Sequence, residues 1–194
     1  MNELLTSNTC VNKMFTAKLV SSNLLKINTQ FINNLSKNLS SFALVYEEFG
    51  DPVSVLRCKD ISDSIKSPTG NQILIQYLAS PINPADINTI QGVYAYKPKL
   101  PAVGGGEGVA KVVKIGDQVK NVSVDDWVIP AQPGSGTWRT HLVVDSNDVI
   151  KIDKTIDIFS AAQLTVNPCT AYRMLKDFVN LKEGELKHFL TKKK

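Results

Sequence analysis

The sequence predicts a mainly β fold with some helix, and three patterns carry that prediction. Short apolar runs recur between residues 42 and 156, and Gly, Asp, Asn and Pro separate them. Closely spaced runs of this kind are typical of a small all-β barrel or sandwich. Helical periodicity appears after Asp157, and a different, Asn- and Ser-rich composition fills the first forty residues.

The leader, residues 1–41, differs in composition from the rest of the chain. It is rich in Asn and Ser, and it carries four lysines, no arginine and a single acid, Glu3. Its apolar residues recur at loosely helical spacing. A basic, acid-poor amphipathic leader is typical of an organelle transit peptide, so we expect mitochondrial import. The alternative is a disordered extension on a cytoplasmic protein.

Seven runs within residues 42–156 have strand character. QILIQYLA mixes polar and apolar residues with the two-residue period of a strand, and VAKVVKI ends at a Gly-Asp turn. Pro81 and Pro84 must end the first of these strands, because the interior of a strand or helix does not tolerate proline. We therefore expect strands at residues 42–46, 53–57, 72–79, 109–115, 127–130, 137–144 and 149–152.

The stretch after these prolines holds the residues with the most chemical potential. Residues 85–90 fit a short helix, with Asp86 near its start, where a carboxylate suits free backbone amides. The loop of residues 91–98 then carries Tyr94. Its phenol can give a proton or a strong hydrogen bond to an oxyanion, and the alternative is a packing role. We assign loop packing to the neighbouring Tyr96.

Two helices are expected after Asp157. The first covers residues 158–164. Pro168 interrupts it and begins the second, because a proline in the first turn of a helix removes no hydrogen bond. The second helix should run towards Phe178 and Leu181.

Composition and charge exclude several classes of function. The chain has 194 residues, of which 43% are hydrophobic and 21% charged, as in an ordinary soluble globular protein. A net charge of +4 without a cluster of basic and aromatic residues indicates no nucleic-acid partner. No apolar run approaches the roughly 18 residues that a membrane span needs. Three widely separated cysteines indicate neither a metal site nor a disulfide framework.

Five ordered blocks of sequence resemble the mitochondrial enoyl thioester reductases of the medium-chain dehydrogenase/reductase superfamily. The blocks are INPADINTIQGVY, LPAVGGGEGVAKVV, DDWVIPA, GTWRTHLVV and AAQLTVNPCTAYRML. They cover roughly three quarters of the chain. A single short motif such as NPxD would be weak on its own, whereas five in order are specific.

The resemblance implies an activity and two site residues. The family reduces the 2,3 double bond of a trans-2-enoyl group on acyl carrier protein or CoA with NADPH. Hydride goes to the β carbon and a proton to the α carbon, and charge collects on the thioester oxygen in between. The family's catalytic tyrosine falls on Tyr94, and its cofactor-binding asparagine falls on Asn167. Full-length members of the family are expected to be homodimers.

The same resemblance indicates that no metal is bound. Zinc-dependent relatives carry a Gly-His-Glu block with a ligand histidine and a ligand cysteine near the start of the domain. Here Gly106 stands where that histidine would be, and the NPAD block supplies no thiolate. His141 and His188 are the only histidines, so no zinc ligand set can be assembled. Asn83, Asp86, Trp138 and Arg139 lie in matching blocks, either as structural supports or as substrate contacts.

The resemblance also sets the expected domains. Residues 42–156 would form a GroES-like β-barrel catalytic domain, residues 157–185 the helical start of the connection to a cofactor domain, and residues 186–194 a divergent tail. No glycine follows Gly184, so the glycine-rich turn of a Rossmann domain has no place and that domain should be largely missing. We therefore expect the chain to be inactive alone, and the apolar residues of its last helices to be partly exposed, namely Leu164, Tyr172, Met174 and Leu175.

Two other functions stay open at this point. One is a zinc-free quinone oxidoreductase-like enzyme of the same superfamily, which shares the NPxD block. The other is a non-catalytic remnant that binds acyl substrates or pairs with another subunit.

Overall fold

A computed structural model describes residues 40–178 and residue 182. The predicted leader before residue 40 and the tail of residues 186–194 lie outside these described residues. The described strands are β1 (Phe42–Tyr46), β2 (Arg57–Asp60), β3 (Gln72–Ala79), β4 (Ala102–Val103), β5 (Val109–Ile115), β6 (Trp127–Pro130), β7 (His141–Asp145) and β8 (Val149–Ile152). The described helices are α1 (Pro52–Val55), α2 (Pro84–Ile90), α3 (Ile158–Ala162) and α4 (Asn167–Asp177). The mainly β prediction is confirmed.

The larger sheet has five antiparallel strands in the order β7-β3-β5-β6-β8. Its central pair, β3 and β5, aligns Ile75 with Val112. Consecutive residues of β3 are buried, because neighbouring structure covers both faces of this strand. The main apolar core lies on this sheet and is formed by Ile73, Ile75, Ala110, Val112, Val122, Val128 and Val149.

The smaller sheet has three antiparallel strands in the order β2-β1-β4. A second apolar core adjoins it and contains Tyr46, Ile90, Ala102 and Trp138. Ile90 is the last residue of α2 and is fully buried. Burial of Ile90 therefore fixes the helix that leads into the Tyr94 loop against the smaller sheet.

Three predictions about local structure are wrong. Residues 53–57 are expected to form a strand, but residues 53–55 belong to α1, Leu56 follows the helix, and only Arg57 belongs to β2. Pro52 occupies the start of α1, and the Asp51 carbonyl accepts hydrogen bonds from the N–H groups of Ser54 and Val55, which favours a helical turn. Strand β7 begins at His141 instead of residue 137. Cys58 is disulfide-bonded, contrary to the expectation from cysteine spacing.

The two last helices differ in how they pack. Asp157 caps α3 by accepting from the N–H groups of Phe159 and Ser160, and Ala161 and Ala162 are buried against strands of the larger sheet. Helix α4 buries none of its residues. None of the described helices has the length and apolar character needed to cross a membrane.

Candidate functional site

Helix α2 positions the loop that carries Tyr94. Pro84 is the first residue of the helix, and Asn83 and Asp86 form a capping box in which the Asn83 N–H donates to Asp86 Oδ2 at 2.8 Å. A capping box satisfies donors at the start of a helix that have no partner within it. The prediction of a short helix with an acid in its first turn is confirmed.

The Tyr94 loop leaves this helix through a tight turn. The N–H groups of Val93 and Tyr94 both donate to the Asn88 carbonyl, at 3.0 and 3.2 Å. Gly92 has φ +74°, and a Cβ there would lie 2.9 Å from the Phe49 Cβ, so only glycine fits the turn. The Tyr94 side chain is 43% exposed and belongs to neither apolar core. Its phenol is therefore accessible for contact with a bound molecule.

Asn167, the second predicted site residue, is the first residue of α4 and is exposed. Pro168 follows it, as expected for the first turn of a helix. The structure shows no direct contact between the Tyr94 and Asn167 side chains in the part of the chain that it describes. Any link between them runs through other residues.

Glu107 is the residue that lies between these two segments, and it is only 2% exposed. Its Oε1 accepts a hydrogen bond from Asn83 Nδ2 at 2.9 Å. Its Oε2 accepts from the Thr165 hydroxyl at 2.7 Å and from the Val166 N–H at 3.0 Å. The Thr137 hydroxyl donates to the Glu107 carbonyl at 2.7 Å. The three donors to Oε1 and Oε2 satisfy both oxygens of the carboxylate, as burial of an acid requires.

Asp86 is a second buried acid close to Glu107. Burial raises the pKa of Asp86, the backbone N–H groups of Asn83 and Gly106 oppose that rise, and the charge of Glu107 adds to it. A Cβ at Gly106 would lie 3.1 Å from Asp86 Oδ1. Position 106, where zinc-dependent relatives would carry their histidine, therefore has little room for a side chain.

The remaining residues of the matching blocks support loops and strands. The Trp138 indole N–H donates to the Pro81 carbonyl at 3.1 Å, and its ring leaves no space for a Cβ at Gly105. Arg139 Nε donates to the Gly136 carbonyl at 2.6 Å. These contacts favour the structural alternative for Trp138 and Arg139 over substrate contact.

His141 lies in the larger sheet with a buried side chain. Burial lowers its pKa to about 4, and its Nδ1 lies 3.1 Å from the Thr140 hydroxyl. Within residues 40–178 and 182, no three His, Cys, Asp or Glu side chains come together as a metal site would require.

A groove of about 330 Å³ lies along the larger sheet. Its lining includes Ile75, Tyr77 and Leu142, but neither of the two predicted site residues. The Tyr77 hydroxyl is buried and has no hydrogen-bond partner among the residues that the structure describes, and burial raises its pKa to about 12. This groove is separate from the candidate site.

The contact network of Glu107 and Thr165 was missed in the sequence. Its partners are up to 59 residues distant along the chain, so no local pattern could reveal them. One signal was available: Glu107 lies two residues before the start of the buried strand β5. An acid in such a position needs several donors, which predicts a hydrogen-bonding role.

Comparisons with known proteins show which families this chain is similar to. Residues 69–154 match the alcohol dehydrogenase GroES-like domain family. The mitochondrial enoyl-[acyl-carrier-protein] reductase of Xenopus tropicalis is 46% identical over 148 residues, covering 76% of this chain and 42% of the relative. Its counterpart from Homo sapiens is 50% identical over 143 residues, covering 74% and 38%. The chain thus spans about two fifths of the length of the curated relatives it matches.

Solved structures of enoyl thioester reductases also match this chain. The mitochondrial 2-enoyl thioester reductase Etr1p/Etr2p heterodimer of Candida tropicalis and a complex of Etr1p with NADP and crotonyl-CoA both match with a TM-score of 0.69 at 36% identity. Each match covers 76% of this chain and 46% of the solved chain. A NADPH:quinone reductase of Bacillus thuringiensis, named as putative, matches with a TM-score of 0.65 at 32% identity, covering 75% and 43%.

Residues 69–154 therefore match a GroES-like domain of the alcohol dehydrogenase type, within a mainly β fold. Proteins of that class share the scaffold but differ in chemistry, so the class alone does not give an activity. The chain is 46–50% identical to two mitochondrial enoyl-[acyl-carrier-protein] reductases over about three quarters of its length, and the resemblance carried by the five sequence blocks is confirmed.

Proposed function

We propose that this chain supplies the β-rich part of an NADPH-dependent reductase that converts trans-2-enoyl thioesters into acyl thioesters. The observation that carries the proposal is the identity of 46–50% with mitochondrial enoyl-[acyl-carrier-protein] reductases over about three quarters of the chain. The match to a structure that holds both NADP and crotonyl-CoA supports the choice of cofactor and substrate class.

Tyr94 is the proposed proton donor. Its phenol is half-exposed on a loop that two hydrogen bonds and a glycine turn hold in place. A neutral phenol can donate to a developing oxyanion or give up its proton to the α carbon, and a general acid of this kind contributes about 10²–10⁴-fold to rate. A fixed backbone limits the cost of orienting this group.

Asn167 is the proposed cofactor contact. Its exposed amide stands at the start of α4 and offers both a donor and an acceptor, which suits the carboxamide of a nicotinamide ring. Bound NADPH would supply the hydride.

Cell location and partners follow from the same relatives. We propose mitochondrial import, in line with the names of these reductases and with the basic leader. Acyl carrier protein is the proposed acyl carrier, with CoA thioesters as accepted analogues. Homodimer formation is proposed from the paired arrangement of the Candida reductase, which is a heterodimer in the solved structure.

A chimera tests the activity. Residues 40–178 replace the matching segment of the human reductase, and NADPH oxidation is followed with crotonyl-CoA. We expect turnover by the chimera and none by the isolated chain. A folded chimera that binds NADPH but does not reduce crotonyl-CoA would contradict the proposal.

Quinone reduction is the second candidate, favoured by the match to the Bacillus thuringiensis protein. The same chimera discriminates between the two. A quinone reductase has no need of a proton donor at the α carbon of a thioester. Turnover of a quinone that exceeds turnover of crotonyl-CoA would favour the second candidate.

A further inference from the structure

We infer that Glu107 is a positioning residue that sets Asn167 relative to Tyr94, through one buried carboxylate shared by the two segments. The inference rests on the roles proposed above for these two residues. It concerns how the chain holds them, since no direct contact joins their side chains in the described residues.

The Tyr94 side of the connection is short and well bonded. Glu107 Oε1 accepts from Asn83 Nδ2 at 2.9 Å, and Asn83 is the N-cap of helix α2. The helix has seven residues, about two turns, and its Asn88 carbonyl accepts from the backbone N–H of Tyr94 at 3.2 Å. A displacement at Asn83 therefore reaches Tyr94 through helix α2 and the hydrogen bond between the Asn88 carbonyl and the Tyr94 N–H.

The Asn167 side of the connection is shorter still. Glu107 Oε2 accepts from the Thr165 hydroxyl and from the Val166 N–H, the two residues directly before Asn167. Val166 is the N-cap of α4, so the carboxylate also occupies the positive end of this helix. Glu107 thus accepts from the backbone N–H of the N-cap residue, the role that the N3 side chain fills in a capping box.

The location of Glu107 makes the connection stiff. The side chain is 2% exposed, so water does not compete for its oxygens. Its own backbone is held by the Thr137 hydroxyl at 2.7 Å, and Thr137 is 1% exposed. Hydrogen bonds from neutral donors to a buried carboxylate are strong and directional, and a group fixed at both ends transmits small shifts instead of absorbing them.

Helix α4 needs such a connection more than the other elements do. None of its residues is buried, so apolar packing within the described residues does not fix its position. The two bonds to Oε2 are the polar contacts that attach its start to the β-rich part. Loss of one of them should change the position of Asn167 and, through the shared carboxylate, that of Tyr94.

The test uses the isotope-labelled chain and Thr165→Val, which keeps the shape of the side chain and removes one donor to Oε2. Thr155→Val is the matched control, because the Thr155 hydroxyl also donates to a carboxylate, that of Asp153, at 2.9 Å on an exposed turn. We expect the NMR signals of the Asn167 amide and the Tyr94 ring to shift together in Thr165→Val and to stay in place in the control.

One further variant and one further measurement complete the test. Glu107→Gln should shift both sets of signals as well, and it decides the matter if Thr165→Val does not fold. In the chimera, Thr165→Val should lower kcat for crotonyl-CoA by roughly 10-fold while KM changes little, as misplacement of catalytic groups does. A purely structural role would leave kcat of the folded variant unchanged.

The outcomes separate this inference from the proposed function. Tyr94 signals that stay fixed in both variants while Asn167 signals move would overturn the inference, whatever the activity. A chimera without crotonyl-CoA turnover would count against the proposed function, while the joint shift of the two signals would still support the connection through Glu107.

Discussion

The five-stranded sheet and helix α4 hold their apolar residues in opposite ways. Ile73 and Val112 of the sheet are fully buried, whereas Tyr172 and Leu175 of the helix are 58% and 39% exposed. Apolar burial therefore fixes the sheet, and it does not fix the helix within the described residues. The predicted exposure of the last helices is confirmed for α4, while Leu164 packs partly against the core beside α3.

The comparison shows which contacts matter in each region. In the sheet, a lost methylene group leaves a cavity that costs stability. At the start of α4, position depends on a few polar contacts to Glu107, so a lost donor matters more than a lost methyl group. The predictions below probe this difference.

The largest expected effect on stability is that of a core truncation in the sheet. Ile73→Ala should lower the free energy of unfolding by about 2–5 kcal/mol, because the side chain is fully buried. Leu175→Ala, a comparable truncation on α4, should cost less than about 1 kcal/mol. Urea titrations of the two variants give the comparison. Equal losses would mean that α4 is packed as tightly as the sheet.

Replacement of Glu107 should have the next largest effect. Glu107→Gln puts an amide group opposite at least one donor, either Asn83 or the Thr165–Val166 pair. A buried donor without an acceptor costs about 1–3 kcal/mol, and the same urea titration measures it. Glu47→Gln, at an exposed ion pair with Lys59, is the control and should change little. A Glu107 variant as stable as the control would refute the buried connection.

A smaller, pH-dependent effect is expected at His141. Burial lowers its pKa in the folded protein to about 4, below the ordinary value of 6.5. The unfolded chain therefore binds the proton more tightly, so the neutral histidine's stabilising contribution is complete above pH 6.5 and is lost as pH falls towards about 4. Between pH 7 and 4.5, Tm of the wild type should fall by on the order of 5 °C more than that of His141→Gln. Parallel curves for both proteins would contradict this.

The sequence predicted most of the sheet but little of the connection between the two regions. Strand β3 follows from its two-residue period, β5 from an apolar run that ends at a Gly-Asp turn, and α2 from the proline and acid at its start, all of which are local signals. Helix α1 was missed because apolar Val53 and Val55 suggested a strand, although Val53 is 87% exposed.

The contacts that hold the candidate site were not predictable for the same reason. Tyr94 and Asn167 are predicted from the family resemblance, which assigns a role to each residue but says nothing of what holds it. The contacts of Glu107 join residues 24, 58 and 59 positions apart, and pairing at such distances is set by the fold. Sequence patterns of neighbouring residues carry no record of it.

The reductase activity proposed for this protein depends most directly on the phenol of Tyr94. The decisive measurement compares Tyr94→Phe with Tyr96→Phe in the chimera, at saturating crotonyl-CoA and NADPH. The two tyrosines share one loop and are 43% and 53% exposed, so neither change should affect folding. We predict that Tyr94→Phe lowers kcat by about 10²-fold or more and that Tyr96→Phe leaves it unchanged. Unchanged kcat in Tyr94→Phe would contradict the assignment of Tyr94 as the proton donor.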